Sequence, residues 1–184
     1  MALHVTLEGE HVRLEPLASR HEEVLWPVAQ DPRTWRWMKV RGDESRQTFH
    51  AWFESIDMGF VHYFDGEPVG HTSFLNHRPH DRSVEIGNTW LHPSAWGTGA
   101  NTEAKYLLLR HAFEREGMLR VEFKTDAANE RSRPALEKIG ATFEGIHRKH
   151  MLVRDGERRD SAWYSVIDDD WPAAKAKLEA LLAR

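Results

Sequence analysis

Pro93, Gly97, Gly99 and a long amphipathic segment beginning near Ala100 follow one another closely in this chain. That order suits the holding of a pyrophosphate. Glycines let backbone approach a ligand, and the unpaired amides of a helix's first turn face negative charge with the helix dipole behind them. The plainer alternative is that Gly97-Thr98-Gly99 only makes a tight strand-to-helix turn. A Walker loop is excluded because no lysine follows the second glycine, and a dinucleotide fingerprint is disfavoured because position 102 is Thr. Upstream, Glu85 lies in the strand that leads into this turn. Twelve histidines invite a metal. The pairs His77 with His80 and His147 with His150 lack both the H-E-x-x-H spacing and an evident carboxylate partner, so no metal site is expected. The first pair flanks Pro79 in a loop, and the second is expected to straddle a strand.

The elements that must position these residues follow from periodicity. Val5, Leu7, Val12 and Leu14 alternate about Gly9 as a short hairpin. Ser19 and Glu22 form a capping-box pattern ahead of Val24, Leu25 and Val28, and Asp31-Pro32 ends that helix. Phe49, Trp52, Phe53 and Ile56 mark a second helix behind Ser45, closed by Gly59. From Phe60 the period becomes two: FVHYF, an Asp65-Gly66 turn, PVGHTSFL, a polar loop over 76–82 and VEIGNTWL read as antiparallel strands. Ala104, Leu107, Leu108 and Ala112 trace the longest helix, stopped at Gly117. LRVEFKT is a strand with Leu119, Val121 and Phe123 on one face. Asn129 to Gly140 reads as a loop and short helix with Pro134 in its first turn. A hairpin closes about the turn RDGE, and Trp171, Ala174, Leu178, Leu181 and Leu182 mark a last helix. This mixture predicts α+β, or α/β with a mixed sheet.

Length and composition bound the rest. The 184 residues suit one domain over 1–184 with a sizeable core, and 40% hydrophobic residues with eight Trp and eight Phe argue against disorder. The chain is expected to fold on its own. No apolar run approaches the ~20 residues of a membrane span, and MALHVTLEGE lacks a signal-peptide pattern, so a cytoplasmic protein without a membrane partner is expected. The absence of cysteine excludes disulfides, zinc thiolates and a thiol nucleophile. A formal charge of −4 provides no overall attraction to nucleic acid.

Three motifs carry a family resemblance over nearly the whole chain. VEIGNTWLHPSAWGTGANTEA resembles the E-I-G-Y-x-L-x-P-x-x-W-G-x-G-x-x-T-E-A block of the GNAT superfamily branch that includes the RimJ/RimL ribosomal-protein N-terminal acetyltransferases. NERSRPALEKIGATFEG is similar to that branch's N-x-x-S-x-x-x-L-E-K-x-G-F-x-x-E-G, and DGERRDSAWYSVIDDDW to its G-x-x-x-D-x-x-x-Y ending. The resemblance implies a twisted mixed sheet in three layers, with helices on both faces and acetyl-CoA in a splayed central cleft. It implies that backbone at Leu91 pairs with the pantetheine and that amides over Trp96, Gly97, Thr98, Gly99 and Ala100, with Asn101 following, hold the pyrophosphate. Asn129 would bond the pantetheine amide, or form only an Asx-turn.

The reaction implied is acetyl transfer to a primary amine, either a protein N-terminus or a small molecule. A general base must then take a proton from the ammonium, and an acid must help the thiolate leave. Glu85 is the base candidate; the alternative is a strand carboxylate facing solvent or paired with an arginine. Many family members use a tyrosine in the short helix as acid, but that position is Leu136 here, so Ser132 becomes the candidate, with a helix N-cap as its other role. Ser94 replaces the motif's usual Gln or Arg. Trp35, Trp37 and Trp52 fall on the acceptor side by resemblance; Trp37 is the pocket candidate, and Trp52 sits on an apolar helical stripe that suits core packing. A homodimer matches family habit. The competing function is an acyl-CoA-binding or sensor module that kept the cradle and lost the chemistry.

Overall fold

A computed structural model describes residues 2–154 and 156–183. Asp155, in the expected RDGE turn, lies outside the described residues. In chain order the strands are β1 (Leu7–Glu8), β2 (Val12–Pro16), β3 (Met58–Phe64), β4 (Glu67–Arg78), β5 (Ser83–Leu91), β6 (Arg120–Asp126), β7 (Thr142–Val153) and β8 (Glu157–Ile167). The helices are α1 (His21–Val28), α2 (Arg46–Glu54), α3 (Ala100–Arg110), α4 (Ser132–Lys138) and α5 (Trp171–Leu182). One sheet runs β1-β2-β3-β4-β5-β6-β8-β7. Its pairings are antiparallel except β5 with β6.

Strand alternation divides the interior into two cores on opposite faces of this sheet. Leu14, Phe60, Phe74, Val84, Ile86, Val121 and Phe123 pack with α3 and α5, through Leu107, Leu108, Trp171 and Leu178. Val61 and Trp90 face the other way, onto Leu25 of α1, Phe49, Trp52 and Phe53 of α2, and Trp35. The mixed, helix-flanked sheet expected from the sequence is therefore present.

Several local expectations hold in detail. Ser45 caps α2, its hydroxyl accepting from the Thr48 amide at 3.0 Å, and Asp65-Gly66 turns β3 into β4 with φ of 50° and 84°, the signature of a primed hairpin turn. Others are corrected. Ser19 makes no cap for α1, whose N-cap is Arg20 without a side-chain bond; His21 Nδ1 accepts from the Ala18 amide instead at 3.0 Å. Gly59 lies inside β3, paired with Ser73, rather than closing α2, and the position needs a glycine because an added Cβ would meet Ile56 at 2.4 Å and His71 at 2.6 Å. The expected 76–82 loop begins later, since β4 pairs through Arg78. Leu119 precedes β6 and is exposed.

The two histidines of β7 are corrected too. Between His147 and Met151 the register against β8 slips, with Lys149 at φ 50°, so four residues of β7 span two of β8. The extra residues return His150 to the side of His147. Their rings lie 5.8 Å apart, and both pack on Trp163.

Candidate active site

The cleft originates in the one parallel pairing. β5 and β6 share a ladder only from Ser83 to Glu85 against Arg120 to Glu122; beyond it β5 runs on to Leu91 and β6 to Asp126 unpaired with each other. Two features force this divergence. The β4–β5 register shifts between His71 and Ser73, and Asn88 takes φ 50°. His71 fixes that bulge. Fully buried, its ring is pushed down to a pKa of about 4 by desolvation and is neutral. Since a carbonyl can only accept, Nδ1 carries the proton and donates to the Asn88 carbonyl at 3.0 Å, with Nε2 facing the Ser73 hydroxyl at 3.3 Å.

At the far end of β5 the chain turns through Pro93–Ala95 into α3. The Trp96 amide is satisfied by the Pro93 carbonyl at 3.1 Å, and the Ala100 amide by the Thr98 hydroxyl at 3.2 Å. The amides of Gly97, Thr98 and Gly99 have no acceptor among the described residues. Gly97 holds φ 77°, a conformation open to glycine at no steric penalty, and a Cβ on Gly97 or Gly99 would meet nothing within 4 Å. Three donors thus face open space beside the N-terminus of α3, an arrangement that fits a pyrophosphate. Ala100 is fully buried and Asn101 lies in the first helical turn. The Leu91 carbonyl already accepts from the Trp96 indole at 2.9 Å, so one lone pair remains for a ligand. Glu103 anchors the helix: its carboxylate accepts from the Glu10 and His11 amides, and a Cβ on Gly9 would fall 2.0 Å from its Oε1.

Glu85 sits where the two strands part. It is 1% exposed, and Oε2 accepts from Asn76 Nδ2 at 2.7 Å and Lys124 Nζ at 3.0 Å. Neither solvent nor an arginine holds it, contrary to the two structural alternatives raised by the sequence. Oε1 is buried with no partner and approaches Gly87, where a Cβ would lie 2.9 Å away. A carboxylate fixed through one oxygen and unpartnered among the described residues at the other keeps acceptor lone pairs for a donor brought into the site.

The side of the cleft toward the hairpin of β7 and β8 is bounded by parts far apart in sequence. Lys124 lies 5.4 Å over the Trp163 ring, against which His147 packs at 4.9 Å. The hairpin of β7 and β8 is fastened to the loop after the Pro32–Trp35 turn: the Arg154 amide donates to the Lys39 carbonyl at 3.0 Å, and its guanidinium to the Arg36 and Met38 carbonyls. Trp37 is carried by that same loop, half-buried, under the Arg36 guanidinium at 5.0 Å. Trp35 and Trp52 do not line a pocket; both are core residues, their rings 5.3 Å apart, and Trp35 Nε1 donates to the Ala29 carbonyl at 2.8 Å.

On the other bank, the N-cap role expected of Ser132 falls to Asn129. The N-cap position itself is Arg131, without a side-chain bond, and Asn129 forms the Asx-turn that leads into α4: its Oδ1 accepts from the Arg131 and Ser132 amides at 3.2 and 3.0 Å. That leaves the half-buried Ser132 hydroxyl and the Asn129 amide nitrogen without partners among the described residues. Leu136 is buried in the main core. Arg131 lays its guanidinium 3.7 Å from the Trp96 ring centroid, joining α4 to the turn before α3. Sequence reasoning missed Asn76, Lys124, Trp163 and Arg154. Lys124 had a signal, a lysine on the polar face of a central strand, but its partner became visible only with the pairing.

The family described as acetyltransferase (GNAT) domain matches residues 11–142. The chain belongs to the GNAT acetyltransferases. It is 32% identical over 181 residues to the Bacillus subtilis (strain 168) protein YdaF, provisionally named a ribosomal N-acetyltransferase, covering 91% of this chain and 97% of YdaF. A GCN5-related N-acetyltransferase from Brucella melitensis is 31% identical with a TM-score of 0.90, over 97% of this chain and 86% of that one. Mycobacterium smegmatis RimJ, solved with CoA-disulfide, shares the fold at 23% identity and a TM-score of 0.82, over 97% and 95%. The likeness to ribosomal N-acetyltransferases carried by the motifs agrees with these relatives. This GNAT protein is thus an acetyltransferase, of a family that uses acetyl-CoA.

Proposed function

We propose that residues 1–184 act as one N-acetyltransferase domain that moves an acetyl group from acetyl-CoA to a primary amine on a peptide N-terminus. The observation that carries this reading is the cleft opened beyond the Glu85–Glu122 pair, with three free amides at its mouth and a buried carboxylate at its apex. The amides of Gly97, Thr98 and Gly99 hold the pyrophosphate, and the free lone pair of the Leu91 carbonyl and the Asn129 side-chain amide bond the pantetheine. In the cleft the amine nitrogen attacks the thioester carbonyl carbon as the carbon–sulfur bond breaks. Glu85 Oε1 takes the proton released by the ammonium; the Ser132 hydroxyl supplies one to the departing thiolate and is restored by the second proton, which the nitrogen sheds as the amide forms. With no tyrosine at position 136, positioning and backbone donors at the Asn88 bulge contribute a larger share of the rate.

A peptide is preferred to a small amine as acceptor because YdaF is named for a ribosomal substrate, and this chain aligns with it along nearly its whole length. The test is release of CoA, followed with a thiol reagent, on mixing the protein with acetyl-CoA and panels of peptides and small amines. The chain has no cysteine to add background. Turnover of peptides supports the reading. Tight acetyl-CoA binding without turnover of any amine would sink it and leave a binding module.

A further inference from the structure

Among the described residues, the polar atoms buried without a partner include Glu85 Oε1, Trp163 Nε1 and Arg159 Nε. Alternation along β8 sets Arg159, Ser161 and Trp163 on one face. Across the ladder, Trp163 is paired with Lys124, the residue that holds Glu85. All three orphans therefore belong to one lined surface, running from the reacting centre toward the hairpin tip.

Arg159 is the unusual member. Its side chain is half-buried, makes no hydrogen bond and lies in no ion pair among the described residues. Asp126 and Glu85 favour its charge from a distance, while burial and Arg154 work against it. Asp126 is occupied with the Ala128 amide, Lys124 with Glu85 and Arg154 with the 36–39 loop. A guanidinium partly withdrawn from water, with its buried Nε donor unmet, is unfavourable unless something else brings an acceptor. Arginine's planar fork matches a carboxylate.

We infer that Arg159 binds a carboxylate of the acceptor, carried by an acidic side chain at the second or third residue of a peptide whose N-terminal amine lies at Glu85. This deepens the acetyl-transfer reading and rests on it. Spacing selects the peptide. Through Glu122, Glu85 is level with Ser165 on β8, and Arg159 is six residues from Ser165, or ~20 Å of strand at ~3.3 Å per residue, a span that the two long side chains shorten from either end. A free α-amino acid separates its amine and carboxylate by about the ~3 Å of one residue's rise, too little to reach both groups, whereas an extended peptide advances ~3.3–3.6 Å per residue before its side chain begins.

The experiment compares kcat/KM for hexapeptides differing only in Glu, Asp or Gln at positions two and three, with free glutamate and a diamine alongside. Acidic peptides are expected to exceed their Gln counterparts by about tenfold to a hundredfold, the range of a charge-assisted hydrogen bond. Arg159→Gln should erase that preference through KM, Arg159→Lys should restore part of it, and both should keep the parent's Tm and acetyl-CoA affinity. Equal turnover of acidic and neutral peptides overturns the inference and leaves acetyl transfer standing. So does an Arg159→Gln variant that slows both classes alike. Free glutamate turned over as well as the best peptide overturns the spacing argument. If acetyl-CoA binds and no acceptor releases CoA, acetyl transfer itself fails and takes this inference with it.

Discussion

Lowering the pH from 6.5 to 4.5 should destabilise this protein steeply, through two histidines alone. His62 and His71 are each 0% exposed. Desolvation pushes their pKa values to about 3 and about 4. His62 has the further handicap of the Lys105 charge nearby, and the Ala100 backbone lies close without completing a hydrogen bond. Both pKa values are depressed on folding, so within this window the unfolded chain binds protons that the folded one refuses. Stability is therefore full above about pH 6.5 and is lost as the pH falls toward 4 and then 3. Each unshared proton is worth about 1.4 kcal/mol per pH unit, so two amount to nearly 3 kcal/mol per unit once the unfolded histidines are protonated. Because both rings are fully buried, solvent screening does not reduce the figure. A fall of about 4 kcal/mol across the window would be a large part of a typical stability of about 5–15 kcal/mol. Urea unfolding at half-unit pH steps measures it. His62→Leu, which removes two nitrogens unpartnered among the described residues, should lower the slope by about 1.4 kcal/mol per pH unit and raise stability near neutral pH by ~1–3 kcal/mol. A flat profile from pH 6.5 to 4.5, or an unchanged slope in His62→Leu, would refute the reasoning.

Three further outcomes follow from the site. Glu85→Gln should lower kcat by ~10²–10⁴-fold with acetyl-CoA affinity held, because it keeps the shape and the Asn76 contact while losing the proton acceptor; steady-state kinetics beside calorimetry would show the split. Asn129→Ala should destabilise by ~0.5–2 kcal/mol through the lost cap, whereas Ser132→Ala should leave Tm within a degree and slow turnover, so thermal melts with kinetics separate cap from acid. Lys105, buried with the Thr89 hydroxyl at 3.1 Å as its one hydrogen-bond partner among the described residues, has its pKa pushed down to about 7 by desolvation. Its depressed value makes stability rise with pH from about 7 toward 10, and Lys105→Met should flatten that rise in melts across the same range.

The sequence by itself determined a good deal here, for stated physical reasons. Period-two and period-3.6 patterns located the strands and helices because each must turn one face to a core, and the glycines at 97 and 99 marked the phosphate turn because few other residues leave backbone so bare. What it misplaced were caps and register. Ser19 and Ser132 have the chemistry of N-caps, yet the chain's path sets the His21 ring and the Asn129 side chain against the nearby amides instead, and nothing local decides between them. His147 and His150 were placed on opposite faces because alternation assumes an unbroken strand; the slip against β8 reverses that. Only the tertiary structure made Glu85 distinctive. Its burial, its lysine and its unpartnered oxygen come from residues 76, 87 and 124, which meet because one parallel ladder ends after three pairs. Pairing between distant strands is set by the global packing of two cores, and that information is spread over the whole chain rather than held in any one motif.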